Sequence, residues 1–356
     1  MNTNYNKDFE PMTFLFYNRD LANRFVSDLK LPIQNTDSEY FFQQLRMLDD
    51  EYDALTEYNY LCEFISKHYD GDPSKFLKEY YDKRDEIIND VLNFDGYKAF
   101  NEMDLNEFAV DRNIYNNVTS NNVYNMSNIG KTFLSIDLTK ANFQTLRYVN
   151  ALPYNCNSYT DFIGKYTALD YIKNSKYTRQ VIFGKLNPKR TITVEKWLLS
   201  KLYLQLVESQ EYKENEFDKY LKLVSASNDE LVFEVLYVDD LILDVLYNTI
   251  RTILSENEYG IQFKLEMFNL EGLTLQSVKT NFKREIMYKK IDLYRGTEKL
   301  MCVPSHYFPL VYALDKGWPI EEFMYHFTFE GLDCRIMEHF RLVRFKNVNG
   351  TVFEVL

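Results

Sequence analysis

Apolar positions recur at helical spacing through the first third of the chain. Phe41, Leu45, Leu48 and Leu55 fall on one such stripe. Phe76, Leu77, Tyr80, Ile87, Ile88 and Val91 form another, behind an Asp72-Pro73 pair that suits a helix start, with Asp as cap and Pro in the first turn. The pattern predicts helices from Tyr40 to Asn93. Residues 1–40 mix short apolar runs with turns, and the asparagine-rich residues 111–130 predict a loop.

The period then shortens. Phe133-Leu134-Ser135-Ile136 predicts a strand ending at Asp137. From Thr139 the spacing is helical again (Ala141, Phe143, Leu146, Val149). Residues 153–160 read as a loop, and Tyr166 to Phe183 as a helix. Asn187-Pro188 is a break, followed by a helix from Val194 to Val207. Leu221, Leu223 and Val224 on one side and Leu231 to Leu236 on the other predict two strands around Ser227-Asn228-Asp229-Glu230. That arrangement is a β-hairpin with two acids at its tip. Asp239 or Asp240 caps a helix through Leu241, Leu243, Leu246, Ile250, Ile253 and Leu254, which Gly260 ends. Ile261 to Leu270 alternates as a strand, and the last 86 residues mix strands and helices. No internal repeat is present and no linker cuts the chain sharply.

With 356 residues, 46% hydrophobic and 26% charged, a sizeable core is expected. No apolar run reaches the ~18 residues of a membrane span, and the first residues lack the pattern of a signal peptide. A cytoplasmic protein with no membrane partner is therefore expected. Cys62, Cys156, Cys302 and Cys334, and the four histidines, are scattered, so neither a zinc site nor a disulfide framework is expected. Abundant Asn, Tyr, Lys and Ile fit an AT-rich genome such as a bacteriophage's.

The net charge of −12 argues against a nucleic-acid partner, but the distribution changes that. Lys173, Lys176, Arg179, Lys185, Lys189, Arg190, Lys196 and Lys201 face a single acid, Glu195, in their stretch. A second basic stretch runs from Lys279 to Lys299. Such patches bind phosphate locally; they are equally what two solvated helix faces look like.

A strand ending in Asp, a basic helix and a strand–acidic turn–strand is the order a nucleotidyltransferase palm needs. Two carboxylates on neighbouring strand ends hold two divalent cations about 4 Å apart. Asp-Glu-Leu-Val-Phe-Glu-Val (229–235) resembles the third catalytic motif of family A DNA polymerases. Ser135 to Phe143 is similar to that family's strand plus Asp-Tyr-Ser-Gln-Ile-Glu-Leu. Lys176 to Gly184 is similar to its fingers helix, whose pattern is Arg, then Lys four on, then Phe-Gly.

The resemblance implies a fold and a set of roles. The fold is α/β (α+β): an antiparallel palm (111–154 and 218–270), a thumb-like N-terminal helical region (1–110), reduced fingers (155–217) and an extra C-terminal module (271–356). Asp137, Asp229 and Glu230 are the implied catalytic acids. Asp137, Asp229 and the Leu138 carbonyl are the implied ligands of Mg²⁺, or of Mn²⁺. Lys176 and Arg179 hold the phosphates of a nucleoside triphosphate, Phe183 faces the base and Asn142 sits near the sugar. Lys185, Lys189 and Arg190 contact a nucleic-acid primer–template, and replication proteins are further partners.

The chain departs from the family pattern at several places. The first fingers arginine falls on Ser175, the ribose-excluding glutamate on Asn142, the histidine before the aspartate on Asn228, and the tyrosine after Phe-Gly on Asn187. A single-subunit RNA polymerase or primase-like enzyme is the nearest alternative. Others are an inactive palm that binds nucleic acid or docks to a replisome, and a structural phage protein, motivated by the acidic charge and by 29 Tyr and 27 Phe. Each residue also has a plainer role open to it. Asp137 can cap a helix, Asp229-Glu230 can be an ordinary turn, and Phe183 can be core. Tyr237-Val238-Asp239-Asp240 matches the reverse-transcriptase Tyr-x-Asp-Asp, but its acids precede a helix and suit capping.

Overall fold

The helical stripes of the first third become α1 (Arg19–Leu29), α2 (Ser38–Met47), α3 (Asp49–Tyr52), α4 (Ala54–His68), α5 (Pro73–Asn93) and α6 (Asp95–Glu102). This is a computed structural model, and it describes residues 17–110, 118, 123–236, 239–348 and 351–355. In α5 the Asp72 carboxylate accepts the Ser74 N–H at 2.9 Å, Pro73 occupies the first turn, and the predicted stripe is the buried face. α1 has no counterpart in the sequence reading; Asn18 caps it by accepting the Leu21 N–H at 2.9 Å.

β1 (Thr132–Leu138) comes next, then α7 (Ala141–Tyr148), α8 (Tyr159–Ile163), α9 (Asp170–Asn174), α10 (Lys176–Gly184), α11 (Pro188–Glu208) and α12 (Gln210–Glu214). The single helix expected from Tyr166 to Phe183 is thus two. Ser175 breaks it and caps α10, accepting the Thr178 N–H at 2.9 Å. Pro188 starts α11, because a first-turn proline loses no helical hydrogen bond. The acidic hairpin is β2 (Leu221–Ala226) and β3 (Glu230–Val235), followed by α13 (Asp240–Ser255). α13 ends before Gly260, whose φ of +60° serves the turn into β4 (Phe263–Ser277). The chain finishes with β5 (Met287–Asp292), β6 (Glu298–Met301), α14 (Phe308–Lys316), β7 (His326–Phe329), β8 (Leu332–Arg335), β9 (Phe340–Val348) and β10 (Thr351–Val355).

The main sheet runs β10-β9-β4-β1-β3-β2 and every pairing is antiparallel. The long β4 pairs with β1 through its first half and β9 through its second. Phe268 and Asn269 pair with both β1 and β5, so β5 lies on the opposite edge, with β6 beyond it. The expected boundary at residue 271 falls inside β4, and β5 pairs with β4 on both sides of it, so residues 271–356 share the main sheet. One apolar cluster from Leu21 to Met324 joins the N-terminal helices, helices α8 to α12 and the back of the sheet. The architecture is mixed α/β around an antiparallel sheet. No helix among the described residues is long and apolar enough to cross a membrane.

Strand alternation gives β1 two unlike faces. Leu134, Ile136 and Leu138 join Leu231, Phe233, Leu265 and Met267 in the main core. Phe133, Ser135 and Asp137 share the other face with Glu230, Val232, Lys264, Glu266 and Phe268, as direct pairing dictates. Phe133, Val232, Phe268 and Leu270 bury the lower part of that face in a second cluster. Its upper end is charged.

Candidate functional site

The charged end is built by backbone pairing. Asp137 lies directly opposite Glu230 on β3 and Lys264 on β4. The next residue, Leu138, donates its N–H to the Asp229 carbonyl at 2.8 Å. Asp137 and Asp229 therefore stand on adjoining strand ends. Asp137 caps no helix: Lys140 occupies the cap position of α7. Nor does its carboxylate meet a hydrogen-bonding or ion-pairing partner among the described residues. Partial burial pushes Asp137 up to about 6, helped by the charges of Asp229, Glu230 and Glu266 and opposed by Lys264.

The hairpin tip is held by Ser227. Its hydroxyl accepts the Glu230 N–H at 3.0 Å, and its own N–H donates to the Glu230 carbonyl at 2.8 Å. The Glu230 carboxylate accepts the Ser135 hydroxyl at 2.5 Å. Glu266, two residues along β4 from Lys264, is bridged by Lys264 and by Lys290 (2.8 Å), which keep its carboxyl below the usual range against its own burial.

A further acid escaped the motif reading. Glu195 on α11 is only 3% exposed, and its Oε1 is buried without a hydrogen-bond partner among the described residues. Burial, then Asp229, pushes it up to about 7. The sequence carries a signal for it: Glu195 is the only acid of a basic stretch, and it falls on the apolar stripe of Thr191, Val194, Leu198, Leu199 and Leu202.

Arg179 on α10 and Lys140 at the start of α7 share the ring of Tyr159, at 5.6 and 5.4 Å from its centroid. Lys176 is reached by the field of Asp137, which raises its ammonium. Crowding by protein lowers it more, as do Lys299, Arg179 and Lys30. Neither Lys176 nor Arg179 has an acid partner among the described residues.

The remaining expected residues separate into two groups. Asn142 is half-buried in the first turn of α7, Lys185 is exposed at the end of α10, and Lys189 is exposed in the first turn of α11. Phe183, by contrast, is 2% exposed and packs 6.1 Å from Tyr159; in this structure its ring is a core contact and not a surface for a base. Arg190 is half-buried and its guanidinium is occupied by other groups of the chain. It donates to the carbonyls of Phe100 (3.1 Å) and Met103 and lies over the Phe100 ring, tying α11 to α6. Asp239 caps α13, accepting the Leu241 N–H at 2.9 Å; Tyr237 and Val238 lie outside the described residues.

The donor chemistry suits a hard divalent cation. Asp137, Asp229, Glu230 and the unpartnered Glu195 oxygen offer carboxylates whose mutual repulsion a cation offsets. Among the described residues no three acidic, His or Cys side chains already converge as a ligand set. Compared with models of known protein families, with curated proteins and with solved structures, the chain gives no match.

Proposed function

We propose that the protein is a metal-dependent nucleotidyltransferase that extends a primer 3′ end on a nucleic-acid template, with its palm in β2, β3, β1 and β4. The observation that carries this reading is the placing of Asp137 and Asp229 on adjoining ends of β1 and β3. In this reading Asp137 and Asp229 hold Mg²⁺ or Mn²⁺, with the Leu138 carbonyl and Glu230 close by. The metal supplies activation of the attacking hydroxyl and charge neutralisation on the leaving phosphates. Lys176 and Arg179 orient the triphosphate and offset its charge as the bond breaks. Glu195 adds negative field behind Asp229. Nucleoside triphosphates and a primer–template are the substrates, replication proteins the partners, and the cytoplasm the place of action.

The test is extension of a labelled primer–template with Mg²⁺ or Mn²⁺, offering deoxynucleotides and ribonucleotides separately. Wild type extends the primer, and Asp137→Ala and Asp229→Ala abolish it. Ribonucleotide use would identify the RNA polymerase or primase-like form that Asn142 motivates. The burial of Phe183 favours one other reading, a palm that binds nucleic acid without catalysis. Folded wild type that retains primer–template but extends nothing with either metal would establish that reading instead.

A further inference from the structure

The turn between β4 and β5 holds an aromatic side chain in solvent. Ser277 donates its N–H to the Phe282 carbonyl, and Arg284 donates its N–H to the Leu275 carbonyl, both at 2.8 Å. The backbone around Phe282 is thus fastened to β4, yet its side chain is 60% exposed. Phe282 lines a cavity of about 560 Å³ together with Leu275, Met287, Arg284, His306 and Tyr307, a volume within the range of small-ligand sites. Arg284 is set among rings: its guanidinium carbon lies 5.5 Å from the centroid of Phe282, 5.8 Å from Tyr307 and 5.4 Å from Phe340. His306 extends this aromatic surface, 4.2 Å from Tyr307. The polar groups of the lining are of mixed sign. Glu338 takes Arg284 at 2.6 Å, and Glu354 takes Lys283. Burial, then the Arg284 charge, holds His306 below its ordinary value, so at neutral pH its ring offers one donor and one acceptor. Glu285 adds a carboxylate to the lining. Lys279 is exposed on the same turn and has no acid partner among the described residues. A purely apolar ligand would leave these polar groups unused, and a bare anion would leave the rings unused. A planar ring with donors and acceptors along its edge uses both.

We propose that this cavity takes the base of a nucleotide, stacked on Phe282 with its edge toward His306 and Glu285, and that the phosphate of the same unit lies outside against Lys279. A single strand and a free nucleotide share that chemistry. The setting favours the strand, because an exposed ring on a basic turn serves successive bases and phosphates alike. The site is separate from the carboxylates. β4 carries Lys264, the partner of Asp137, near one end and Leu275 near the other. At about 3.3 Å per residue the two stand on the order of 30 Å apart. That the strand is a template rests on the nucleotidyltransferase reading; the affinity for a base does not.

The probe is a fluorescently labelled oligothymidylate, followed by anisotropy without metal, with thymidine monophosphate titrated calorimetrically as the free-nucleotide arm. The proteins are wild type, Phe282→Ala, Phe282→Trp, Lys279→Gln and, as an exposed aromatic on α4, Tyr60→Ala. Phe282→Ala is expected to weaken the oligomer by about tenfold. Phe282→Trp retains the affinity, and Tyr60→Ala leaves it unchanged. Lys279→Gln lowers the slope of log affinity against log salt by about 0.7, the value for one phosphate of a single strand. Matching unfolding midpoints exclude a folding defect. Wild type that binds neither probe, or Phe282→Ala within twofold of wild type for both, overturns the proposal. An equal loss in Tyr60→Ala overturns it too, since the binding would then be spread over exposed rings. Phe282-dependent binding of thymidine monophosphate alone upholds the base site and assigns it to a free nucleotide. Phe282-dependent binding of the oligomer by a protein that extends no primer upholds it while removing the polymerase reading. Primer extension by a protein whose strand affinity ignores Phe282→Ala leaves that reading standing and removes this site.

Discussion

Glu195 shows how a single carboxyl ties the candidate site to stability. Its ordinary value is near 4.5, and in the folded protein it rises to about 7. As pH climbs through that window the unfolded chain releases the proton and the folded chain keeps it, so folding stability falls. Glu195→Gln keeps the shape and removes the titration. Its advantage over wild type should be near zero at pH 4, grow between 4.5 and 7, and level off above at about 3 kcal/mol, read from urea melts across pH. Asp137→Asn should behave alike over the window from 3.8 to about 6. At pH 8, Mg²⁺ should raise the unfolding midpoint of wild type by a few degrees, and Asp137→Asn should abolish that rise; an equal rise in both would remove Asp137 as a ligand. Asp229 was legible in sequence because a hairpin tip is a local feature. Glu195 was not, because its meaning comes from a neighbour on another element.

At the scale of elements, α10 is docked by one buried group. Asp28 of α1 is 1% exposed and accepts hydrogen bonds from Tyr80 (2.7 Å), Tyr171 (2.8 Å) and Ser175 (2.9 Å), with Arg24 at 3.1 Å. α1, α5, α9 and the cap of α10 thus meet at a single carboxylate. Asp28→Asn leaves the Arg24 charge uncompensated and the network one acceptor short, and should cost about 3 kcal/mol in chemical denaturation. This network explains why the predicted helix from Tyr166 to Phe183 is divided. Local periodicity continues through Ser175, but a tertiary carboxylate claims its hydroxyl. Arg190 is a similar case: a solvated charge by pattern, a tie between helices in fact. Arg190→Ala should cost about 1–2 kcal/mol by stranding carbonyls, while leaving the salt dependence of oligonucleotide binding unaltered. Where local spacing and capping agree, as in α5, the element was legible to the residue.

The whole molecule is organised by β4. The strand expected from Ile261 to Leu270 runs on to Ser277. Gly272 lets it pass close to the chain before β1: a Cβ at that position would lie 2.2 Å from the Ile129 side chain. The mixed α/β class and the order of the β2–β3 hairpin were legible, since both follow from nearby residues. The continuity of the sheet into residues 271–356 was not, since it depends on pairing with distant strands. Truncation after residue 286 removes β5 and β9 from β4 and bares Leu273 and Leu275. The product should be protease-sensitive throughout, and a protected core ending near residue 270 would show that a separable module exists after all.

The central position of β1 also sets a timetable for biosynthesis. The Thr132 hydroxyl bonds to Asn269 at 2.8 Å across 137 residues of intervening chain. A ribosome adding about 5–20 residues per second takes roughly 7 to 27 seconds to cover that distance. During this interval Phe133, Leu134 and Ile136 have emerged without their second flanking strand, so the nascent chain must be shielded by chaperones or collapse provisionally. A polypeptide that stops before β4 carries Asp137 and Asp229 but lacks the strand that flanks β1 on its other side, and with it Lys264 and Glu266.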